Sequence, residues 1–230
     1  MPDLEFFFDP ICPFCWVTSR WVVEVQSQRA LRVEWRPLSL ALLNEEISYE
    51  ERKKASPEYP DSHVRGLEML RVVHAARQAH GSEVVGDLYT ALGELVWDAD
   101  PVEGTFEAVM HEMARKRDLT PALRECGLPV SLADVAADTS RDAALRDETF
   151  EAVDRCGGGV GTPVLSFDGK TALFGPVIDE PPSGEEAEDL YDAVEKLGRW
   201  PGFAELKRSA RSFPVTRLSA NLARTDTWVR

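Results

Sequence analysis

The pattern of apolar and polar positions divides the chain into two kinds of region. Leu4–Phe8 is a short apolar run that reads as a buried strand, and the Asp9-Pro10 turn follows it. Val17, Trp21, Val22 and Val25 then recur at helical spacing, which predicts a helix from about Cys12 to Gln28. In Leu31–Leu38, Leu31, Val33 and Trp35 alternate with Arg32, Glu34 and Arg36, the signature of a second strand. Strand, helix and strand in so few residues make a βαβ unit.

Between about residues 41 and 140 the strand signal disappears. The stretch NEEISYEERKKASPEYPD is charged and turn-rich, and its Glu45-Glu46 and Glu50-Glu51 pairs read as solvated surface. Val64, Leu67, Leu70, Val73 and Ala76 predict a helix ending at Gly81. Helices over Glu83–Trp97 and Glu103–Arg117 follow, then shorter ones from Thr120 and Ser131. The region reads as an all-helical insertion.

The α/β pattern then resumes. A helix over Asp142–Cys156 leads into three glycines. Val164–Phe167 and Thr171–Phe174 flank the hairpin turn Asp168-Gly169. A last helix spans Ser183–Leu197, with Ser183 and Glu186 spaced as a capping box, and a short helix is expected near Pro201. The expected organisation is one α/β domain built from residues 1–40 and 141–213, a helical insertion over 41–140, and a weakly ordered tail over 214–230.

Composition narrows the function classes. The chain has 230 residues, 43% of them hydrophobic, enough to bury a substantial core. Its formal net charge of −14 opposes phosphate backbones and anionic lipid, so nucleic acid and membrane surfaces are poor partners. The start MPDLEFFFDP has no basic leader, which points to a cytoplasmic location where a CxxC is catalytic or metal-binding rather than a structural disulfide.

Cys12 and Cys15 form such a pair, in FDPICPFCWVTSRW. A zinc site needs about four ligands. Cys126 and Cys156 are isolated, and His63, His74, His80 and His111 show no ligand spacing, so no metal is expected. A redox pair fits better. A cysteine at a helix N-terminus faces unpaired main-chain N–H groups and the positive end of the helix dipole, which favours its thiolate. Pro13 suits the first turn, where no donor is needed. Cys12 is therefore assigned as the nucleophile and Cys15 as the resolving thiol.

Gly161-Thr162-Pro163, directly before the strand and hairpin, is the second element. A thioredoxin fold sets an X-Pro loop, commonly cis, against the nucleophilic sulfur. CxxC after the first strand, X-Pro before a hairpin and a final helix form an ordered two-part signature. With residues 16–161 between its parts, it resembles the DsbA superfamily: a thioredoxin-like core interrupted by a helical domain.

FDPICPFCWVTSRW, SLALLNEE, ARQAHG, LYTALG, GTPVLSFDG, FGPV, SGEEAEDLYDA and FAELKR resemble one branch of that superfamily over Leu4 to Phe213. This is the cytosolic actinobacterial group that includes the mycothiol-dependent nitroreductase. The resemblance implies a thiol–disulfide oxidoreductase without a tightly bound cofactor. Its co-substrate would be mycothiol or another low-molecular-weight thiol, and its substrates small electrophiles or disulfides, nitro compounds among them. A second copy of the chain is retained as a partner expectation.

Phe14 departs from the branch, whose members usually carry tryptophan there, and Trp97 stands where the relatives lead one to expect a histidine. Trp16, Asn44, His80 and Trp97 are carried as substrate-cleft candidates beside Pro13, Phe14, Thr162 and Pro163. Trp16 is expected to be partly exposed. His80 reads first as a helix end capped by Gly81, and Asn44 equally as a turn cap. Cys126 and Cys156 read as small buried hydrophobes.

Two rivals stay open. One is a thiol-cofactor isomerase or transferase of the 2-hydroxychromene-2-carboxylate isomerase or kappa glutathione transferase type, relatives that place serine at the Cys12 position. The other is a non-catalytic partner-binding module.

Overall fold

The computed structural model describes residues 2–45, 53–54, 56–208 and 212–222. Leu4–Phe8 (β1) pairs in parallel with Val33–Pro37 (β2), and Pro13–Gln28 (α1) connects them. Val164–Ser166 (β3) runs antiparallel to β1, with Phe6 opposite Leu165, and Leu173–Phe174 (β4) closes the sheet in the order β2-β1-β3-β4. A parallel pair made by a crossover helix, joined to a distant antiparallel hairpin and closed by a helix, is the thioredoxin-like arrangement expected from the sequence.

All five residues of β1 are buried because both faces are covered. Leu4, Phe6 and Phe8 pack with Val17, Trp21, Val22 and Val25 of α1 and with Tyr191 of the last helix, Gly184–Gly198. Phe7 faces the other way, onto Leu38, Val164 and Ala152, the last in the helix Asp142–Arg155. On that face Arg36 of β2 is largely shielded from water by ion pairs. Arg36 is bound by Glu5 and Glu151, Arg155 binds Glu5 and Glu151 as well, and the Arg36 and Arg155 guanidiniums lie over the Phe7 ring. A buried pair of this kind is costly to break from one side.

The insertion is helical. After the short helix Leu40–Leu43 (α2) come Tyr59–His80 (α3), Val85–Trp97 (α4), Phe106–Ala114 (α5) and Thr120–Glu125 (α6). Two 3-10 segments, Val130–Ala137 and Thr139–Arg141, then lead to Asp142–Arg155 (α7), and Gly184–Gly198 is α8. Helix α3 is buried almost all round from Gly66 to Ala76, whereas Val64 of the expected apolar stripe is exposed. It is the central helix of this region, not a surface one. The apolar core runs without a break into the thioredoxin-like part, where the Tyr89 ring of α4 stacks on Phe8 at 4.0 Å and also meets Trp35.

Several expectations need correction. Helix α5 is shorter than Glu103–Arg117. It starts where the Thr105 hydroxyl accepts from the Ala108 N–H, and it ends where Arg117 donates to the Glu112 and Arg115 carbonyls. The capping box at Ser183 does not form. Ser183 makes no side-chain cap, and Glu24 of α1 accepts from the Gly184 N–H instead. No helix follows Pro201 within residues 201–208, where Trp200 before it and Leu206 within it are exposed.

The largest correction concerns the tail. Residues 212–222 are packed, with Leu218 fully buried and Phe213 nearly so, because the segment bonds to Trp97, Val102 and Asp179. Residues 223–230, and Glu46, Glu50 and Glu51 of the acidic stretch, lie outside the described residues. Among the described residues, no helix is long and apolar enough to cross a membrane.

Candidate active site

Cys12 is the N-cap of α1. Its backbone is extended (φ −82°, ψ 117°), and its N–H is held by the Asp9 carbonyl at 3.0 Å. That conformation turns the sulfur back over the first turn, where Cys12 Sγ accepts from the Cys15 N–H at 3.4 Å. Pro13 occupies the first helical position without wasting a donor. From across the sheet, the Thr162 carbonyl accepts from Cys12 Sγ at 3.8 Å, and the Thr162–Pro163 peptide is cis. Both cysteines are free thiols.

The two sulfurs sit in unlike environments. Burial works against ionising Cys12, but the Cys15 thiol, the Thr162 side chain and the Cys15 main-chain N–H together outweigh it, and its pKa falls below 9.0. Burial pushes Cys15 far up, and the neighbouring Cys12 sulfur adds to this. A coupled pair of this kind shares one easily lost proton. Cys126 and Cys156 are both raised to about 11 by burial, so neither competes as a nucleophile at neutral pH.

Pro13, Phe14, Trp16, Thr162 and Pro163 come together around the dithiol, and Phe14 and Trp16 are buried. Trp16 is not the partly exposed residue expected. Its indole fills the space left by Gly93, where a Cβ would stand 2.3 Å from the ring, and the Arg20 guanidinium covers it at 4.2 Å. Trp97 is fully buried and faces no cleft: its indole N–H donates to the Pro10 carbonyl at 2.9 Å, holding the loop two residues before Cys12.

His80 does not join the group, and the Asn44 side chain is engaged within α2. The Asn44 amide donates back to the Leu40 carbonyl at 2.6 Å, closing the end of α2. His80 is exposed at the end of α3. It lies roughly 21 Å along the helix from Gly66, which is where α3 touches the active-site loop.

Two features escaped sequence reasoning. Asp9 is fully buried, accepts from the Ile11 N–H at 3.1 Å and the Leu40 N–H at 2.8 Å, and is pushed up to about 7 by burial. The signal was an acid in an otherwise apolar FFFDP, next to the CxxC. The second is the Gly175-Pro176 loop, also cis, which backs the first proline loop. Its Gly175 N–H donates to the Pro163 carbonyl at 2.9 Å, and its Pro176 carbonyl accepts from the Thr18 hydroxyl of α1 at 3.0 Å.

The family model described as "Rv2466c-like: Mycothiol-dependent nitroreductase Rv2466c" matches residues 11–208. The chain belongs to this family. The uncharacterized protein Rv2286c of Mycobacterium tuberculosis is 31% identical over 224 residues, which cover 96% of this chain and 88% of that protein.

Solved structures similar to it include the cytosolic disulfide reductase DsbM from Pseudomonas aeruginosa. That structure is 16% identical, covers 84% of this chain and 98% of its own, and gives a TM-score of 0.46. The probable DsbA oxidoreductase SCO1869 from Streptomyces coelicolor is 15% identical, with coverage of 92% and 95% and a TM-score of 0.49. The family takes its description from a mycothiol-dependent nitroreductase, an oxidoreductase that depends on a low-molecular-weight thiol.

Proposed function

We propose that Cys12 and Cys15 form a cycling dithiol that reduces small disulfides or electrophiles and is recharged by a low-molecular-weight thiol, mycothiol in the description of the family. The observation that carries this reading is the opposite displacement of the two thiols: Cys12 held toward its thiolate by Cys15 and Thr162, Cys15 held protonated behind it.

The Cys12 thiolate attacks one sulfur of a substrate disulfide, forms a mixed disulfide and expels the other half as a thiolate. Once Cys12 no longer carries charge, its share of the influence that kept Cys15 protonated is gone, and only burial still opposes ionisation. Cys15 gives up its proton and attacks Cys12 Sγ, releasing the second half. Two electrons have passed to the substrate, and a Cys12–Cys15 disulfide remains. Two molecules of small thiol then restore the dithiol and leave as their own disulfide. The Thr162 hydroxyl is buried with no hydrogen-bond partner of its own, yet close enough to favour both thiolates. It is suited to accompany charge as it moves between the sulfurs. Asp9, buried in the loop before Cys12 with a pKa of about 7, titrates in the range that suits a group exchanging protons near the dithiol.

A reductase cycle consumes thiols on the enzyme, whereas an isomerase or transferase that only holds a thiol does not. Free thiols are therefore counted before and after a single turnover with a small aromatic disulfide, and separately with a nitroarene. Loss of two, restored by added mycothiol, is expected, and Cys12→Ser must abolish it. An unchanged thiol count during turnover, or full activity in Cys12→Ser, would overturn the reading. Recharging by an unrelated thiol but not by mycothiol would remove mycothiol from it.

A further inference from the structure

The packed C-terminal segment is bonded to neighbours of both loops that frame Cys12. On one side the Leu218 N–H donates to the Trp97 carbonyl at 3.0 Å, and the Leu218 carbonyl accepts from the Val102 N–H at 3.3 Å. Trp97 in turn holds the Pro10 carbonyl through its indole. On the other side the Val215 N–H donates to the Asp179 carbonyl at 2.7 Å, just past the Gly175-Pro176 loop that supports Pro163. Phe213 meets Phe106 edge-on at 6.0 Å, and Asn221 donates to the Val102 carbonyl at 3.0 Å. Between these anchors the segment stiffens itself: the Ser219 hydroxyl donates to the Pro214 carbonyl, and the Ser219 N–H donates to the Thr216 hydroxyl. One short stretch is thus tied by main-chain bonds to Trp97, whose indole holds the Pro10 loop, and to Asp179, which follows the Gly175-Pro176 loop behind Pro163.

Meanwhile, the dithiol is enclosed. Cys12 is 5% exposed, Phe14 8% and Cys15 not at all. So little exposed sulfur favours a small thiol, which needs only a narrow opening, over a disulfide held on a folded protein.

We propose that residues 212–222 are a strap that fixes the spacing of the two loops framing Cys12 and so restricts the dithiol to low-molecular-weight thiols and electrophiles. The strap rests on the reading of Cys12 as the nucleophile and adds the reason for its substrate class. Its anchoring residue is Leu218, whose side chain is fully buried while its main chain makes the bonds to Trp97 and Val102.

The test compares full-length wild type, Leu218→Ala and a control, Leu145→Ala, which removes an equally buried leucine from α7, outside the strap. Modification of Cys12 is followed by peptide mass spectrometry with iodoacetamide and with a polyethylene-glycol maleimide, and the ratio of the bulky to the small reagent's rate is read. In Leu218→Ala the ratio is expected to rise about tenfold, the change that local opening eased by about 1.4 kcal/mol produces. In Leu145→Ala it should stay at the wild-type value. An unchanged ratio in Leu218→Ala, or an equal rise in the control, overturns the strap. Should Leu218→Ala not fold, Phe213→Ala loosens the other end and carries the same test. A wild-type Cys12 that titrates like an ordinary thiol would defeat the cycling dithiol, and the ratio would still report on the strap.

Discussion

Replacing Asp9 with asparagine should make the protein more stable at neutral pH, although it removes a charged hydrogen-bond acceptor. In the unfolded chain this carboxyl ionises near 3.8, whereas in the fold burial holds it protonated up to about 7. Between those values the folded state binds the extra proton, so wild-type stability declines as pH rises across that window and is flat on either side. At about 1.4 kcal/mol per pH unit, the ionised carboxylate costs the fold roughly 4 kcal/mol above pH 7.

Asparagine avoids that cost but pairs less well. Its carbonyl serves one of the Ile11 and Leu40 N–H groups, and its amide confronts the other, at about 1–3 kcal/mol. The variant should therefore be more stable than wild type by about 1–3 kcal/mol near pH 8 and less stable by a similar amount near pH 4. Urea unfolding in excess reductant at a series of pH values measures both curves, and subtracting them cancels every other carboxylate. A gap between the two proteins that does not change with pH would refute the reasoning, because the burial of Asp9 would then carry no electrostatic cost.

Two further outcomes follow from the same site. The pH profile of iodoacetamide labelling should give Cys12 a midpoint below 9.0 and Cys126 and Cys156 midpoints near 11, because only the thiolate reacts. A Cys156 that is labelled at lower pH than Cys12 would contradict the assignment of the nucleophile. Gly66→Ala would place a methyl 2.3 Å from Asp9 Oδ1 and 2.8 Å from Ile11 Cγ2, neither free to retreat, since two N–H groups hold the carboxyl. A cost of about 1–3 kcal/mol and a Tm lower by several degrees are expected in thermal unfolding, and an unchanged Tm would show that α3 can withdraw from the loop.

What was legible in the sequence was what chemistry or burial ties to residue type. β1 occupies the apolar run Leu4–Phe8 because both its faces are covered, and the Cys12–Cys15 and Thr162-Pro163 motifs read clearly because few other residues could serve there. The helical insertion was legible as a region, and the bounds of α3 and α4 nearly so. Trp97 was misread because a tryptophan held by one indole bond to a main-chain carbonyl leaves no pattern in the chain. The C-terminal strap was invisible for a related reason. Phe213, Thr216, Leu218 and Ser219 follow neither a helical nor a strand period, and main-chain bonds to the distant Trp97, Val102 and Asp179 hold the segment in place. Asp9 was overlooked because a carboxylate after a strand ordinarily marks a solvated turn.

The pairing of β1 with β3 also has a bearing on biosynthesis. Glu5 sits opposite Ser166, so the central strand waits for one neighbour until the ribosome has passed Ser166, over 150 residues later. Through that interval the nascent chain carries the CxxC without Thr162 beside it, next to a strand whose open edge is rich in phenylalanine. Contacts this distant in sequence form slowly and leave sticky edges uncovered in the meantime. The discontinuous layout of the core therefore delays assembly of the reactive centre until the segment carrying Thr162 has been made.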